Sequence, residues 1–271
     1  MVKRRKRKIR TSNSLVRAVW PALEPPPVLR ATEWIPENVW IPSTTETPGP
    51  FDVEMFPHVV GVLEEVDNPM TRVIILRWAT RNAKTYTCLS VLAFLVSTTG
   101  RPAVFAANSD DRANDTLQNE FYPMLEETDA TSSMLLPPQR RNEKSVVIGK
   151  GRIRKAYAGS LGTLAGYPAC YGVANEVGLW PLNSVRRLIQ RGRLFPYDSK
   201  YILEGKPETK GKCTVTSLCD LPTTQKRYRY VQCPSCGLHQ RLVWGDADPD
   251  SPGVKWEKVK GKTDPFLAVD S

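Results

Sequence analysis

The chain has 271 residues, 41% of them hydrophobic, and its 38 Lys and Arg against 28 Asp and Glu leave a formal charge of +10. That size suits one substantial buried core with appendages, and the charge favours an anionic partner such as nucleic acid, although many basic proteins bind nothing acidic. No apolar run reaches the ~20 residues that span a bilayer, and the start MVKRRKRKIR has no apolar stretch behind it. The reading therefore excludes a transmembrane helix and a secretory signal, and it expects an intracellular protein with no membrane partner. Cys88, Cys170, Cys213, Cys219, Cys233 and Cys236 are too scattered for a disulfide framework, so reduced thiols with at most one metal site are expected.

Residues 1 to about 12 form a run of like charge that repels itself, either a solvated tail or an arm that orders on a polyanion. From 21 to 57, PALEPPP, WIPENVWIPS and TPGPF read as an extended arm laid on the surface through Trp34 and Trp40, because repeated Pro denies long helices. From Pro57 the pattern turns to alternating strands and helices. VVGVLEEV reads as a short helix, Val73 to Leu76 as a buried strand, Thr85 to Val96 as an apolar helix closed near Gly100, and Pro102 to Ala107 as a strand. Ser109 is placed as the N-cap of a helix whose apolar stripe is Leu117, Phe121 and Leu125. VVIG, RIRKAYA, ACYGVA and SKYILEG follow as strands, with AGSLGTLAGYPA as a small-residue loop. Such alternation predicts an α/β fold with a largely parallel sheet, helices on both faces, and ligands at the carboxyl ends of the strands. The expected division is 1–56 as basic tail and Pro-rich arm, 57–226 as the α/β domain, and 227–271 as a Cys-x-x-Cys hairpin with a polar linker.

Three places could carry chemistry. The first is the turn from Trp78 to Thr85. A phosphate-binding loop wants Gly-x-x-x-x-Gly-Lys-Thr/Ser, and Trp78 and Ala83 hold the glycine positions, so only the Lys84-Thr85 end matches. There backbone N–H groups wrap phosphates, the Lys neutralises their oxygens and the Thr hydroxyl ligates magnesium, with Arg81 and Asn82 in the same turn; the alternative is an ordinary strand-to-helix turn with an exposed lysine. The second is the end of ACYGVA, where Glu176 can polarise an attacking water while Asn175 stands where a magnesium-holding acid is needed. Asn accepts a hydrogen bond from coordinated water but adds no charge. The alternative is a strand-terminal Glu in solvent. The third is Cys233-Pro-Ser-Cys236-Gly, half of a zinc-ribbon knuckle or a metal-free turn, flanked by Tyr228, Arg229, Tyr230 and Arg241, which suit nucleic acid and equally an exposed hairpin.

Taken in order, these segments resemble the ATPase half of the large terminase subunit of tailed phages, in the lambda-type, GpA-like family, over roughly Trp34 to Asp246. The matching pieces are Glu33-Trp34 with Pro48-Gly49, the strand ending in Ala83-Lys84-Thr85, VFAANSDDRANDTLQNEFYPML, SLGTLAGYPACYGVANEVGLWP, ILEGKPETKGKCTV, and the Tyr-rich segment with its Cys knuckle and Trp-Gly-Asp. The resemblance implies an ASCE-type P-loop NTPase using ATP and Mg²⁺, working as a ring at the capsid portal. It also implies double-stranded viral DNA and a small terminase subunit as partners, and the host cytoplasm as location. By it Lys84 and Thr85 bind phosphate and magnesium, Arg81 sits in the loop, and Glu176 activates water. Three departures stand out: Ala83 for Gly, Asn175 for Asp, and Gly205-Lys206-Pro207 for the Ser-Thr-Pro that couples hydrolysis to movement. The family's second Cys-x-x-Cys and nuclease domain would lie beyond Ser271. Three readings compete. The first is a DNA-packaging ATPase motor domain, truncated or degenerate, with Lys84-Thr85 and Glu176 at the ends of adjacent parallel strands. The others are a nucleotide- or DNA-binding module without turnover and a zinc-ribbon adaptor.

Overall fold

The computed structural model describes residues 29–209 and 211–241, together with the backbone of a short antiparallel pair, Glu257–Lys258 with Val269–Asp270. The basic run at residues 1–12, the Pro-rich residues 21–28 and the Trp-Gly-Asp segment lie outside the described residues.

A six-stranded sheet organises the rest. Its strands are β1 (Val73–Arg77), β2 (Ala103–Ala107), β3 (Ser145–Ile148), β4 (Gly151–Tyr157), β5 (Tyr171–Ala174) and β6 (Lys200–Gly205), in the order β1-β6-β5-β2-β4-β3. Every pair is parallel except the β3-β4 hairpin at the edge. Parallel strands need covered crossovers, and two apolar clusters accordingly sandwich the sheet. β2 supplies both: Ala103, Phe105 and Ala107 face one cluster, Val104 and Ala106 the other. The first cluster lies under α1 (Ala31–Asn38), α2 (Val60–Asp67), α3 (Lys84–Thr99), α4 (Asp110–Asp115) and α5 (Tyr122–Glu127). The second lies under α6 (Leu161–Ala165), α7 (Leu182–Gln190) and α8 (Thr214–Cys219). α3 is apolar nearly all round, with Leu89, Val91, Leu92 and Val96 buried, because it crosses the middle of the sheet. It ends at Gly100, whose φ of 68° closes the last turn as the sequence implies. Ser109 caps α4 by accepting the Arg112 N–H at 3.2 Å, also as expected.

Four expectations are corrected, and two helices are added. The Pro-rich arm is not extended over residues 31–38: α1 forms there with Pro36 inside it and buries Ala31 and Ile35 completely. Its first turn is held by the Asp67 carboxylate of α2, which accepts the N–H groups of Ala31 (2.6 Å) and Thr32 (3.1 Å). This is a distant cap that neighbouring residues could not reveal. β1 is an edge strand of alternating burial rather than a buried one, with Val73 36% exposed. The small-residue loop contains α6, capped by Ser160 accepting the Thr163 N–H. α7 and α8 are additions that the sequence reading did not assign; α7 packs through Val185, Leu188 and Ile189 and turns Arg186 and Arg187 outward. Finally, the strands carrying Lys84-Thr85 and Glu176 are not adjacent, because β6 lies between β1 and β5. No helix among the described residues is long and apolar enough to cross a membrane.

Candidate functional site

A cleft of about 300 Å³ opens at the carboxyl ends of β1, β6 and β5. β1 leads into the turn that carries Thr80, Arg81, Lys84 and Thr85; β5 runs out into Asn175 and Glu176; β6 carries Glu204 as its last residue but one and continues to Lys206 and Glu208. The predicted residues Arg81, Lys84, Thr85, Asn175 and Glu176 thus line one cavity, with Asn82 and Ala83 in the turn that forms its rim. No side chain caps α3, so the backbone N–H groups of its first turn at Lys84 and Thr85 have no cap partner where the helix meets the cleft.

The turn keeps the conformation that glycine would make easy. Ala83 has φ 54° and ψ 18°, Arg81 has φ 58°, and Glu176 has φ 56°. They are the non-glycine residues with positive φ among the described residues, and all three stand at this cleft. Backbone strain confined to one place marks a site that the surrounding fold holds open against local preference. The Lys84 ammonium donates to the Ala79 carbonyl at 2.6 Å, bridging the turn it would open for phosphate. Arg81 turns outward to Glu46 at 3.1 Å, and both side chains are exposed. Asn82 donates to the Thr80 carbonyl at 3.1 Å, while its own carbonyl lies 3.3 Å from His58 Nε2.

Glu176 keeps a half-exposed side chain at the end of β5, with its backbone tied to β6. Its Oε1 lies 4.0 Å from Arg112 Nε, and its N–H donates to Glu204 Oε1 at 3.3 Å. Arg112 also meets Asp115 at 2.8 Å and Glu120 at 3.2 Å, so one guanidinium ties the start of α4 to the end of β5. Burial raises the Glu120 carboxyl above the usual range, and Arg112 works against that rise. Gly205 and Gly178 allow the chain segments to meet: a Cβ on Gly205 would lie 3.0 Å from the Gly178 nitrogen, and one on Gly178 would lie 2.9 Å from the Lys206 carbonyl. Lys206 pairs with Glu208 at 3.5 Å, leaving that rim a mixed charge.

Sequence reading missed two groups here, Arg112 and Glu204. Glu204 is 2% exposed at the end of the strand that separates β1 from β5. Burial pushes its carboxyl above the usual range, and the Lys84 charge pulls it partly back. A signal was present in the sequence: KYILEG is an apolar strand closed by an acid, the same pattern that singled out Glu176. Asn175 is 1% exposed and its Oδ1 has no hydrogen-bond partner. An orphaned buried oxygen beside a buried carboxylate and the Thr85 hydroxyl is a set of oxygen donors suited to a hard, hydrated cation.

The knuckle lies apart from this cleft. Its turn is closed by Cys233 N–H to the Leu238 carbonyl (2.8 Å) and Gly237 N–H to the Cys233 carbonyl (2.9 Å), within the expected hairpin of Val231–Gln232 and His239–Gln240. Among the described residues no group of three or more potential ligands forms. Cys213 and Cys219 are buried in the main domain, where Cys213 Sγ accepts from Glu208 N–H at 3.2 Å, so they do not complete the Cys233 and Cys236 half-site.

Comparisons with known proteins give a family and a fold. The model of the family described as phage terminase large subunit gpA, ATPase domain, matches residues 45–267. The chain is 24% identical over 251 residues to the terminase large subunit of Enterobacteria phage P21, an alignment covering 87% of this chain and 38% of that protein. The chain therefore spans well under half the length of that relative. Among solved structures it is similar to the HK97 bacteriophage large terminase, with a TM-score of 0.57 at 14% identity, over 70% of this chain and 40% of that one. At that identity the likeness speaks for the fold alone.

Proposed function

The chain belongs to the family of phage terminase large subunit gpA ATPase domains, and from that premise we propose that it binds ATP with magnesium and hydrolyses it to drive double-stranded viral DNA into a capsid. The observation that carries this reading is the cleft itself, which gathers Lys84 and Thr85 at the start of α3 with Asn175, Glu176 and Glu204 from two neighbouring strands. In it the free N–H groups of α3 receive phosphate oxygens and Lys84 leaves the Ala79 carbonyl to neutralise them. Thr85 would hold magnesium directly and Asn175 through water; the bound ion would spread the charge that builds on the phosphates. Glu176, with the Arg112 guanidinium 4.0 Å away, accepts a proton from the attacking water. Arg81 is exposed and paired with Glu46 across the turn, which makes it a rim cation.

DNA suits a second feature. An open groove of about 750 Å³ lies at the amino ends of β5 and β6, lined by Tyr167, Arg186, Arg187, Arg191 and Arg193. Arg30, Arg101, Arg141 and Arg227 have carboxylate partners; the arginines of the groove, like Arg152 and Arg229 elsewhere, have none within 4.0 Å among the described residues. A small terminase subunit, the capsid portal and further copies of this chain as a ring are the partners this reading carries, with the host cytoplasm as the place.

Measured DNA-stimulated ATP hydrolysis tests the proposal. The chain should turn over ATP, and Lys84→Ala should abolish turnover by removing the phosphate-binding cation. Equal rates for the two would remove the motor reading. A second reading, a nucleotide- and DNA-binding module without turnover, draws on the missing charge at Asn175. It predicts saturable nucleotide binding with no phosphate release.

A further inference from the structure

Asn175 cannot supply the charge that a divalent cation calls for, yet a carboxylate stands one strand away. β5 and β6 run in register, with Val173 opposite Ile202 and Ala174 opposite Leu203. The next rung sets Asn175 beside Glu204. Side chains alternate along a strand, and Val173 and Ile202 both lie in the cluster beneath α3. Asn175 and Glu204, two residues further along their strands, face the same side, toward the helix start that carries Lys84 and Thr85. From the other neighbour, Leu76 of β1 pairs with Glu204 and lies in that same cluster. Glu204 therefore sits between the phosphate turn and Asn175, closer by one strand to Lys84 and Thr85.

Its surroundings do not explain it as a structural residue. A carboxylate buried to 2% exposure is held in folded proteins by a salt bridge or several hydrogen bonds. Glu204 accepts the Glu176 N–H at 3.3 Å, and no cation lies within 4.0 Å of it among the described residues. Lys84 gives its short hydrogen bond to the Ala79 carbonyl instead. The neighbouring Asn175 Oδ1 is also without a partner. Two buried oxygen-bearing side chains thus share one rung and line the cleft, Asn175 Oδ1 with no partner and Glu204 with one backbone hydrogen bond.

We propose that Glu204 supplies the negative charge with which this site holds a nucleotide-bound divalent cation, replacing from β6 the acid that Asn175 lacks on β5. The inference rests on the nucleotide-binding reading of the cleft. Asn175 keeps the lesser task of accepting a hydrogen bond from a water on the cation, and Glu176 stays free to act on the attacking water. The substitution at Asn175 then marks a relocated charge.

The test is the affinity of a fluorescent ATP analogue with magnesium and with chelator, read for the unaltered chain, Glu204→Gln, Glu204→Asp and Asn175→Asp/Glu204→Gln. In the unaltered chain magnesium should tighten binding by about ten-fold or more, which is ~1.4 kcal/mol. Glu204→Gln should lose that enhancement while keeping its affinity in chelator. The double variant, with the acid returned to β5, should regain it, and Glu204→Asp should keep part of it. Because an unpaired buried charge is removed, ligand-free Glu204→Gln should also melt higher than the unaltered chain, whereas a residue in a structural ion pair would melt lower. Unchanged magnesium enhancement in Glu204→Gln overturns the proposal and leaves the nucleotide site standing. Should Glu204→Gln not fold, Glu204→Asp and the double variant decide it, a double variant without enhancement counting against. Absence of analogue binding by the unaltered chain, with or without magnesium, sinks both the proposal and the reading beneath it.

Discussion

Ala83 is where sequence and backbone disagree most sharply. Glycine would take φ 54° without strain; an alanine there places its Cβ against the following carbonyl at a cost of roughly 1–2 kcal/mol. Glycine in turn loses more freedom on folding, by about 0.5–1 kcal/mol. Ala83→Gly should therefore stabilise the protein by about 0.5–1 kcal/mol, read as a higher urea midpoint at unchanged slope. A lower midpoint would mean that the methyl group packs in a way that outweighs the strain. Glu176, with φ 56°, carries similar strain for a different return. In the proposed reading its carboxylate acts on water and not on phosphate, so Glu176→Gln should cut hydrolysis by about two orders of magnitude while nucleotide affinity stays within about two-fold. If affinity falls in step with turnover, the side chain is holding nucleotide instead.

Between elements, the pairing that sets the site is β5 with β6, because it aligns Asn175 and Glu176 with Glu204. Gly172 of β5 lies opposite Tyr201 of β6, and a Cβ on Gly172 would lie 2.4 Å from the Tyr201 ring and 3.3 Å from Val104. The ring has nowhere to go, since the Tyr201 hydroxyl donates to the Ala169 carbonyl at 2.8 Å. Gly172→Ala should cost about 1–3 kcal/mol by overpacking, measured by urea unfolding, and Tyr201→Phe in that background should recover little because the ring remains. The same two strands show what could be read in advance. AVFAA and YGVA were legible because buried parallel strands are apolar runs, and Lys84-Thr85 could be singled out because they follow such a run and open a helix. Strand order was not legible: nothing local in KYILEG says that it inserts between β1 and β5, and so its acid Glu204 was given no place in the site. α1 was hidden for a related reason, its cap being Asp67 from 35 or 36 residues away. α7 was readable in principle, since Val185, Leu188 and Ile189 fall on one face and Arg186 and Arg187 on the other, but at nine residues it is short for a periodicity reading.

On the whole molecule, parallel strands separate two kinds of chemistry. The cleft with Lys84 and Glu204 lies at their carboxyl ends, and the arginine groove lies at their amino ends, a strand length of roughly 15–20 Å away at about 3.3 Å per residue. Arg191 is 6% exposed, donates through Nε to the Leu164 carbonyl at 2.6 Å, and leaves Nη1 without a partner, so a positive charge is fixed beneath the exposed Arg186, Arg187 and Arg193. Arg154 stacks 3.6 Å from the Tyr167 ring at the same groove. A surface of this kind draws a phosphate backbone mainly through released counterions. Two consequences can be measured for Arg186→Ala/Arg187→Ala by fluorescence anisotropy on duplex DNA between about 50 and 200 mM salt. Affinity should fall at every salt concentration, and the slope of log affinity on log salt should become shallower by about two, close to one for each phosphate that the protein no longer neutralises. Both side chains are exposed and unpaired, so the urea midpoint should not move. An unchanged slope with intact DNA binding would place the DNA on another face, and the groove would then be no more than a solvated edge of the sheet.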